Sequence, residues 1–155
     1  MLQQQRPTLT AIFSDVLANL AFMFIDESQA EPPPGPWLET TIQYQGAVRG
    51  WLSLCCPREF SETLAANLLG VDSMELEGAG PAEDAIRELL NVVCGQFVTA
   101  RYGTETVFQL SIPEVRPLGD GPPSLTADGE QCELSVEGQP VRLAHTCENN
   151  AGEQS

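Results

Sequence analysis

Four residues between positions 84 and 95 recur at helical spacing: Asp84, Glu88, Asn91 and Gly95. Their intervals of 4, 3 and 4 residues place them in a stripe roughly 60° wide along one face of an α-helix. The apolar residues of the same segment fall on the opposite face: Ile86, Leu89, Leu90, Val93, Phe97 and Ala100. The stripe combines carboxylates, which pair with cations, with an amide, which both donates and accepts hydrogen bonds. Spacing alone leaves an ordinary solvent-exposed helix face as the alternative.

The composition of this stripe is unusual for the solvent-exposed face of a helix. An exposed helix face normally carries long, good helix formers, whereas Asn91 and Gly95 are weak ones. A glycine inside a helix costs roughly 0.5–1 kcal/mol relative to alanine. Either another molecule approaches the backbone closely at Gly95, or the glycine is merely tolerated. Val92 and Val98 flank the stripe and are expected to leave apolar atoms near it, as a docking surface would.

Other residues that could do chemistry have better structural explanations. His145 is the sole histidine and has no second metal ligand nearby in sequence. Cys94 and the adjacent Cys55 and Cys56 are expected to fill the core rather than act as nucleophiles. The acidic run 72–77 lacks a calcium-loop pattern. Trp37 and Trp51 are expected to pack on a sheet, although Trp51 shares a strand face with Arg49 and could be exposed at an interface.

Composition excludes several classes of partner. The chain has 155 residues, with 22 acidic residues, seven arginines and no lysine, for a net charge of −15. Such a charge repels phosphate backbones and anionic lipids, so neither a nucleic acid nor a membrane is expected as a partner. A partner protein with a basic surface would complement this negative charge. Alternatively, the charge simply maintains solubility.

The cysteines and the N-terminus indicate the compartment. Five cysteines, an odd number without a CxxC motif, argue against a disulfide framework. Residues 1–6 lead into no signal-peptide pattern, and the apolar segment 9–25 is too short and polar for a membrane span. A cytoplasmic location is expected.

Periodicity and turn residues predict eight elements. Helices are predicted over residues 10–25, 57–69 and 81–102. Strands are predicted over residues 38–44, 48–55, 105–112, 131–136 and 140–145. The proline-rich segments 31–36 and 113–128 are expected to be irregular. This order predicts an α+β fold, a mostly antiparallel sheet covered by two long helices and one short helix. Neither a GxGxxG nor a Walker A motif is present, so the sequence indicates no nucleotide site.

The helical segment resembles a known signature. Asp84-Ala-Ile-Arg-Glu88-Leu-Leu-Asn91-Val-Val-Cys-Gly95 is similar to the Asp/Ser-x3-Glu-x2-Asn-x3-Gly pattern of the CheC/CheX/FliY chemotaxis phosphatases. The predicted element order is similar as well, loosely from residue 8 to 145. CheC-type proteins carry two copies of the pattern. Aligning Asn19 with Asn91 places Val16 at the glutamate position, so one site is expected and the chain looks closer to CheX.

The resemblance implies an activity and roles for the four residues. The implied substrate is the aspartyl-phosphate of a CheY-like response regulator receiver domain. Asn91 would orient the attacking water, and Glu88 would pair with a receiver lysine beside the phosphoryl group. Asp84 and Gly95 would support the contact. The receiver would supply Mg²⁺, so no cofactor or metal is expected on this chain.

Three further expectations complete the interpretation. The alternative function is a non-catalytic CheX-like module that binds a receiver or acts as an adaptor. A flagellar switch component is a third and weaker interpretation, because no switch-type domain is present. The resemblance implies a homodimer formed through sheet edges, although the charge opposes it. Residues 1–148 are expected to form a single CheX-like domain, and residues 149–155 a disordered tail.

Overall fold

A computed structural model of the chain describes residues 8–27, 35–123 and 129–148. The predicted disordered tail and most of the first proline-rich segment lie outside these residues. The architecture is α+β, with one layer of helices on an antiparallel sheet. The predicted fold class is therefore confirmed.

The sheet contains seven strands in the described part of the chain. They are β1 (Ile25–Asp26), β2 (Pro36–Gln45), β3 (Arg49–Pro57), β4 (Gln109–Leu110), β5 (Glu114–Asp120), β6 (Glu130–Val136) and β7 (Gln139–Glu148). Their order is β1-β6-β7-β3-β2-β4, and β5 also pairs with β2. Every pairing is antiparallel. Short hairpins join β2 to β3 and β6 to β7, whereas the other paired strands are distant in sequence.

Three helices cover one face of this sheet: α1 (Leu9–Ala21), α2 (Arg58–Leu69) and α3 (Gly80–Tyr102). The Thr8 side chain begins α1 by accepting a hydrogen bond from the Ala11 amide at 3.0 Å, which satisfies a free backbone donor. Gly70, in the left-handed conformation, ends α2 as the sequence predicts. A 3-10 turn over Ser73–Glu75 lies in the connector to α3.

The alternation of β2 and β3 builds the floor of the core. Leu38, Thr40, Ile42 and Tyr44 alternate along β2 and are buried, while the residues between them, Glu39, Thr41 and Gln43, are partly exposed. The register pairs Ile42 with Leu52, which places two fully buried side chains side by side beneath the helices. Burial of this face against the apolar sides of the helices holds the two layers together.

Three predicted boundaries are wrong. The first helix ends at Ala21 instead of near Ile25, and Phe24, expected on its buried face, is 57% exposed. The strand predicted over 105–112 is reduced to β4. The loop predicted from Pro113 instead contains β5, whose pairing with β2 is reinforced by the ion pair between Arg116 and Glu39.

The other boundaries agree closely with the sequence. Pro57 closes β3 and directly precedes α2, and Gly103 follows the last residue of α3. The hairpin of β6 and β7 turns at Glu137 and Gly138, both with positive φ (51° and 85°), as a two-residue hairpin turn requires. No helix within the described ranges is long and apolar enough to cross a membrane.

Candidate functional site

The longest helix, α3, presents the four signature residues on its outer side. Asp84, Glu88 and Asn91 are exposed and Gly95 is half-buried. The opposite side is embedded between the sheet and the other two helices, and its core residues are Ile86, Leu89, Leu90, Val93 and Phe97. Pro81 occupies the first turn, where its missing N–H is harmless. The predicted stripe is therefore present as a surface on a firmly anchored helix.

The stripe contains two side chains without a partner. Neither the Glu88 nor the Asn91 side chain makes a hydrogen bond or an ion pair with any other described residue. Asp84 instead binds Arg87, with 3.1 Å between Oδ1 and Nη1, and Arg87 also lies 3.6 Å from Glu83. The carboxylate and the amide of the stripe are thus free for another molecule, while Asp84 is held by its neighbour.

Gly95 has open space above it. A Cβ atom added to this residue would meet no atom of another part of the described chain within 4 Å. Internal packing therefore gives no reason for a glycine here. Gly50 is a useful contrast, because a Cβ on that residue would collide with the Tyr44 ring and hydroxyl. Of the two valines expected beside the stripe, Val92 is half-buried, but Val98 is buried and adds nothing to the surface.

The first helix offers no second copy of the stripe. At the positions that align with the signature, Ile12, Val16 and Met23 are buried in the core. Only Asn19 is exposed. The described residues therefore contain one stripe of this type, as the sequence predicts.

A groove next to the stripe was not evident from the sequence. It lies between the last turn of α2 and the first turns of α3 and has a volume of about 460 Å³. Its lining is apolar except for two carboxylates and comprises Ala65, Leu68, Leu69, Pro81, Asp84, Ala85 and Glu88. Periodicity identifies the buried face of each helix, but not where two helices leave a gap. The only feature that could have indicated the groove was Leu69, a leucine at the end of α2.

His145 is buried near the C-terminal end of α3, in a polar cluster with buried Tyr44, partly buried Tyr102 and exposed Glu130. Its Nδ1 lies 3.0 Å from Glu130 Oε1, and its Nε2 lies 2.8 Å from the Tyr44 hydroxyl. A carboxylate only accepts, so Nδ1–H donates to Glu130 and Nε2 accepts from Tyr44. The Tyr44 oxygen is then left to accept from Tyr102, 3.2 Å away. Burial lowers the pKa of His145 and raises that of Tyr44, so both groups are neutral near pH 7.

The three cysteines considered as nucleophiles are held in the neutral thiol form. Burial raises the pKa of Cys94 to about 12, and burial together with the neighbouring Glu39 raises that of Cys55 to about 12. Cys56 is fully buried, which also raises its pKa. Since the thiolate is the reactive form, the structural interpretation of these residues holds.

The remaining candidates also have structural roles. Trp37 is buried, whereas Trp51 is half-buried on the sheet face opposite the helices, with Arg49 6.0 Å from its ring centre. The acidic run 72–77 forms the 3-10 turn and its flanks. No group of three or more potential metal ligands occurs within the described ranges.

Sequence comparison identifies a family. Residues 39–136 match the family model described as "Chemotaxis phosphatase CheX". The match covers more than half of the chain and includes the whole stripe. No curated protein sequence matches the chain.

Solved structures share the fold over nearly the whole chain. A CheX protein from Desulfovibrio desulfuricans superposes with a TM-score of 0.70 at 16% identity, covering 90% of this chain and 96% of that one. CheX from Vibrio vulnificus gives a TM-score of 0.68 at 18% identity, with the same coverage. CheX from Borrelia burgdorferi, in a complex with CheY, BeF₃ and Mg²⁺, gives 0.66 at 16% identity, covering 91% of this chain and 96% of that one.

Proposed function

The chain belongs to the CheX family of chemotaxis phosphatases, and we propose that it hydrolyses the aspartyl-phosphate of a CheY-like receiver domain. The observation that carries the proposal is the pair Glu88 and Asn91, exposed on one stripe without a partner among the described residues. A CheY partner is supported by the Borrelia CheX, which is found in a complex with CheY.

Asn91 is assigned to the attacking water. An acyl phosphate is already prone to hydrolysis, so a phosphatase mainly has to position a water in line with the bond that breaks. An amide suits this task because its oxygen accepts a hydrogen bond from the water while its NH₂ group donates to a phosphoryl oxygen. A carboxylate at position 91 would repel the phosphoryl group. The free Asn91 side chain needs no rearrangement to take this role.

Glu88 is assigned to docking. It precedes Asn91 by three residues, which corresponds to about 4.5 Å along the helix axis, so both reach neighbouring points on a partner. A lysine beside the receiver's phosphoryl group would pair with Glu88 and fix the orientation of the two proteins. The net charge of −15 steers a basic surface toward this helix.

Asp84 and Gly95 are assigned to support the contact. Asp84 holds Arg87 against the helix, which keeps that positive charge from competing for Glu88. Gly95 leaves the helix backbone uncovered one turn beyond Asn91. A receiver backbone can approach there more closely than any side chain would allow.

The metal of the reaction is proposed to arrive with the receiver. In this account Mg²⁺ neutralises the phosphoryl oxygens from the receiver's side, and Glu88 and Asn91 act on the opposite side. Pretreating the phosphatase alone with a chelator and then desalting it should leave its activity on Mg²⁺-loaded receiver unchanged. Lasting loss of activity that only metal added to the phosphatase restores would contradict the assignment.

The experiment that tests the proposal compares Asn91→Ala with Asn19→Ala, an exposed asparagine on α1. Asn91→Ala should reduce the stimulated decay of a phosphorylated receiver on the order of 100-fold, the scale of one positioned hydrogen-bonding group. Asn19→Ala should leave it unchanged. Both variants should unfold at or above the wild-type temperature, since alanine is the better helix former. Equal activity of Asn91→Ala and wild type would refute the assignment.

We also propose that two copies associate through sheet edges. The described sheet is bounded on one side by β1, of two residues, and on the other by β4 and β5, which both pair with β2; β5 carries Pro117. Since −15 per chain opposes approach of two copies, salt should favour association by screening. Sedimentation equilibrium at about 0.05 and 0.5 M NaCl should show more dimer at the higher salt. A monomer at every concentration and salt would exclude it.

A further inference from the structure

Exposed apolar side chains are concentrated at one end of the molecule. The described residues expose seven large apolar side chains, and five of them lie at the ends of α1 and α2 and in the connector that follows: Phe22, Phe24, Leu69, Val71 and Met74. A hydrogen bond of 2.9 Å from Asn67 Nδ2 to the Ala21 carbonyl joins the ends of these two helices. Scattered exposed apolar residues are ordinary, but a group of them indicates an interaction surface.

The groove between α2 and α3 connects this end of the molecule to the stripe. Leu69 lines the groove and is 61% exposed, while Leu68 beside it is partly buried against the core. Asp84 and Glu88 lie on the other wall. Glu88 therefore belongs to both surfaces, and a molecule that binds Glu88 lies at the edge of the groove.

The area that a specific protein–protein interface requires shows why the connection between the groove and the stripe matters. A specific interface buries about 800 Å² on each partner, which is more than four side chains of a single helix stripe can supply. The contact must extend sideways from α3. On the side of Arg87 the surface is a pocket that includes exposed Ile112 but also two arginines. These arginines are already paired, to Glu83 and Asp84 on the helix and to Glu39 on β2. On the side of α2 the surface is the apolar groove.

Charge indicates the chemistry of the occupant. The groove walls carry two carboxylates, and the adjoining connector adds exposed Asp72, Glu75 and Glu77. None of the described residues that line the groove is basic. A partner segment that fits presents an apolar side chain to Leu68 and Leu69 with a lysine or arginine next to it.

We infer that this groove is a second contact for the receiver and takes an apolar side chain that is flanked by a basic residue. The inference rests on the proposed function, because it assigns the groove to the same substrate protein. The groove residues bind and orient the receiver and take no part in the chemical step. They set affinity and the choice among receivers, while Asn91 sets the rate of hydrolysis.

The test is a comparison of Leu69→Gln with Val107→Gln. Val107 is 81% exposed and lies away from the groove. Leu69→Gln should raise the KM for phosphorylated receiver roughly 5- to 10-fold, as expected for losing the burial of part of a leucine, and leave kcat unchanged. Val107→Gln should change neither constant. Leu69→Met, which keeps the apolar volume, should restore the wild-type KM.

The outcomes separate this inference from the proposed function. If the wild type hydrolyses the receiver and Leu69→Gln keeps its KM, the groove is not a receiver contact, and the proposed function still stands. If the wild type does not accelerate decay at all, the proposed function fails, and this inference fails with it. An equal rise in KM for Leu69→Gln and Val107→Gln would also overturn the inference. Thermal unfolding of each variant checks the fold, which exposed positions should leave intact.

Discussion

Two groups of polar residues lie along helix α3, one packed against its C-terminal end and one on its outer face, and they differ in how their hydrogen bonds are satisfied. Toward its C-terminal end, His145 is buried, and both of its ring nitrogens are satisfied, by Glu130 and by Tyr44. Near its middle, Glu88 and Asn91 are exposed, and their side chains bind no other described residue. A buried polar group must be satisfied for the chain to fold, whereas the exposed pair leaves its hydrogen-bonding capacity for another molecule.

This difference predicts where substitutions act. Loss of a member of the buried cluster leaves an unsatisfied group and costs about 1–3 kcal/mol of folding stability. Loss of Glu88 or Asn91 leaves nothing unsatisfied in the described chain, so its effect falls on the receiver reaction. The variants Glu88→Ala, His145→Gln and Gly95→Ala, with Glu62→Ala as a control, separate the two regions.

Glu88→Ala should have the largest of these effects. Removing the carboxylate should weaken receiver binding roughly 10- to 100-fold, the scale of a close charge pair at an interface, with little change in the unfolding temperature. Titration of labelled receiver and the KM of hydrolysis measure this loss of affinity. Wild-type binding should also weaken as salt rises, more steeply than that of the variant.

Glu62→Ala provides the control for Glu88→Ala. Glu62 is an acidic residue on α2 that pairs with Arg58 on the surface, 3.5 Å away. The Glu62→Ala substitution removes the same formal charge as Glu88→Ala. It should therefore reproduce only the long-range steering effect, which is a small change in association rate. If both variants weaken binding equally, general charge rather than a specific pair at Glu88 accounts for docking.

His145→Gln should act on stability instead. The buried hydrogen bonds to Glu130 and Tyr44 would be lost or distorted, at a cost of about 1–3 kcal/mol that urea unfolding at pH 7.5 can measure. Hydrolysis by the folded variant should match the wild type. A loss of kcat without a loss of stability would place this cluster in the catalytic machinery, against the comparison drawn above.

The same variant should show a defined pH dependence. Burial holds the pKa of His145 below its ordinary value of 6.5. The unfolded chain therefore binds a proton more readily than the folded one as the pH falls through 6.5, and wild-type stability falls with it. Above that pH this group contributes no pH dependence. The difference in unfolding free energy between wild type and variant should shrink from pH 7.5 to 5.5, and a constant difference would contradict the assignment. Glu130 and Arg101, which also face the ring, remain in both proteins.

Gly95→Ala should act on folding in the opposite direction to His145→Gln and by a smaller amount. The added methyl group meets no other part of the described chain within 4 Å, so better helix propensity should stabilise the fold by about 0.5–1 kcal/mol. Receiver hydrolysis should nevertheless fall severalfold if the receiver approaches the backbone here. Higher stability with full activity would mean that the glycine is merely tolerated.

Much of the fold was predictable because it rests on local patterns. The period of α3 and its flanking proline and glycine located it to within a residue, and Glu137-Gly138 located the hairpin. Strand β5 was missed because Pro117 and Gly119 are typical of a loop. An edge strand tolerates proline, since one of its sides needs no hydrogen bonds. The end of α1 was missed because Phe22 adopts the left-handed conformation (φ 56°) usually reserved for glycine.

The site also contains parts that the sequence predicts and parts that it does not. The stripe could be predicted because its residues are close in sequence and share one helical period. The cluster around His145 could not, because Tyr44 and His145 are separated by 101 positions and only the strand pairing places them together. The groove depends on how α2 and α3 pack, which no pattern within either helix encodes. The catalytic roles of Glu88 and Asn91 stay predictions.

The most direct test of the central claim is turnover of a phosphorylated CheY-like receiver by a small amount of this protein. With the chain at about one-twentieth of the receiver concentration, all of the receiver should lose its phosphate faster than it does alone, and Asn91→Ala should return the decay to the unassisted rate. Formation of a complex with wild-type protein and no faster decay would instead make the chain a receiver-binding module without catalysis.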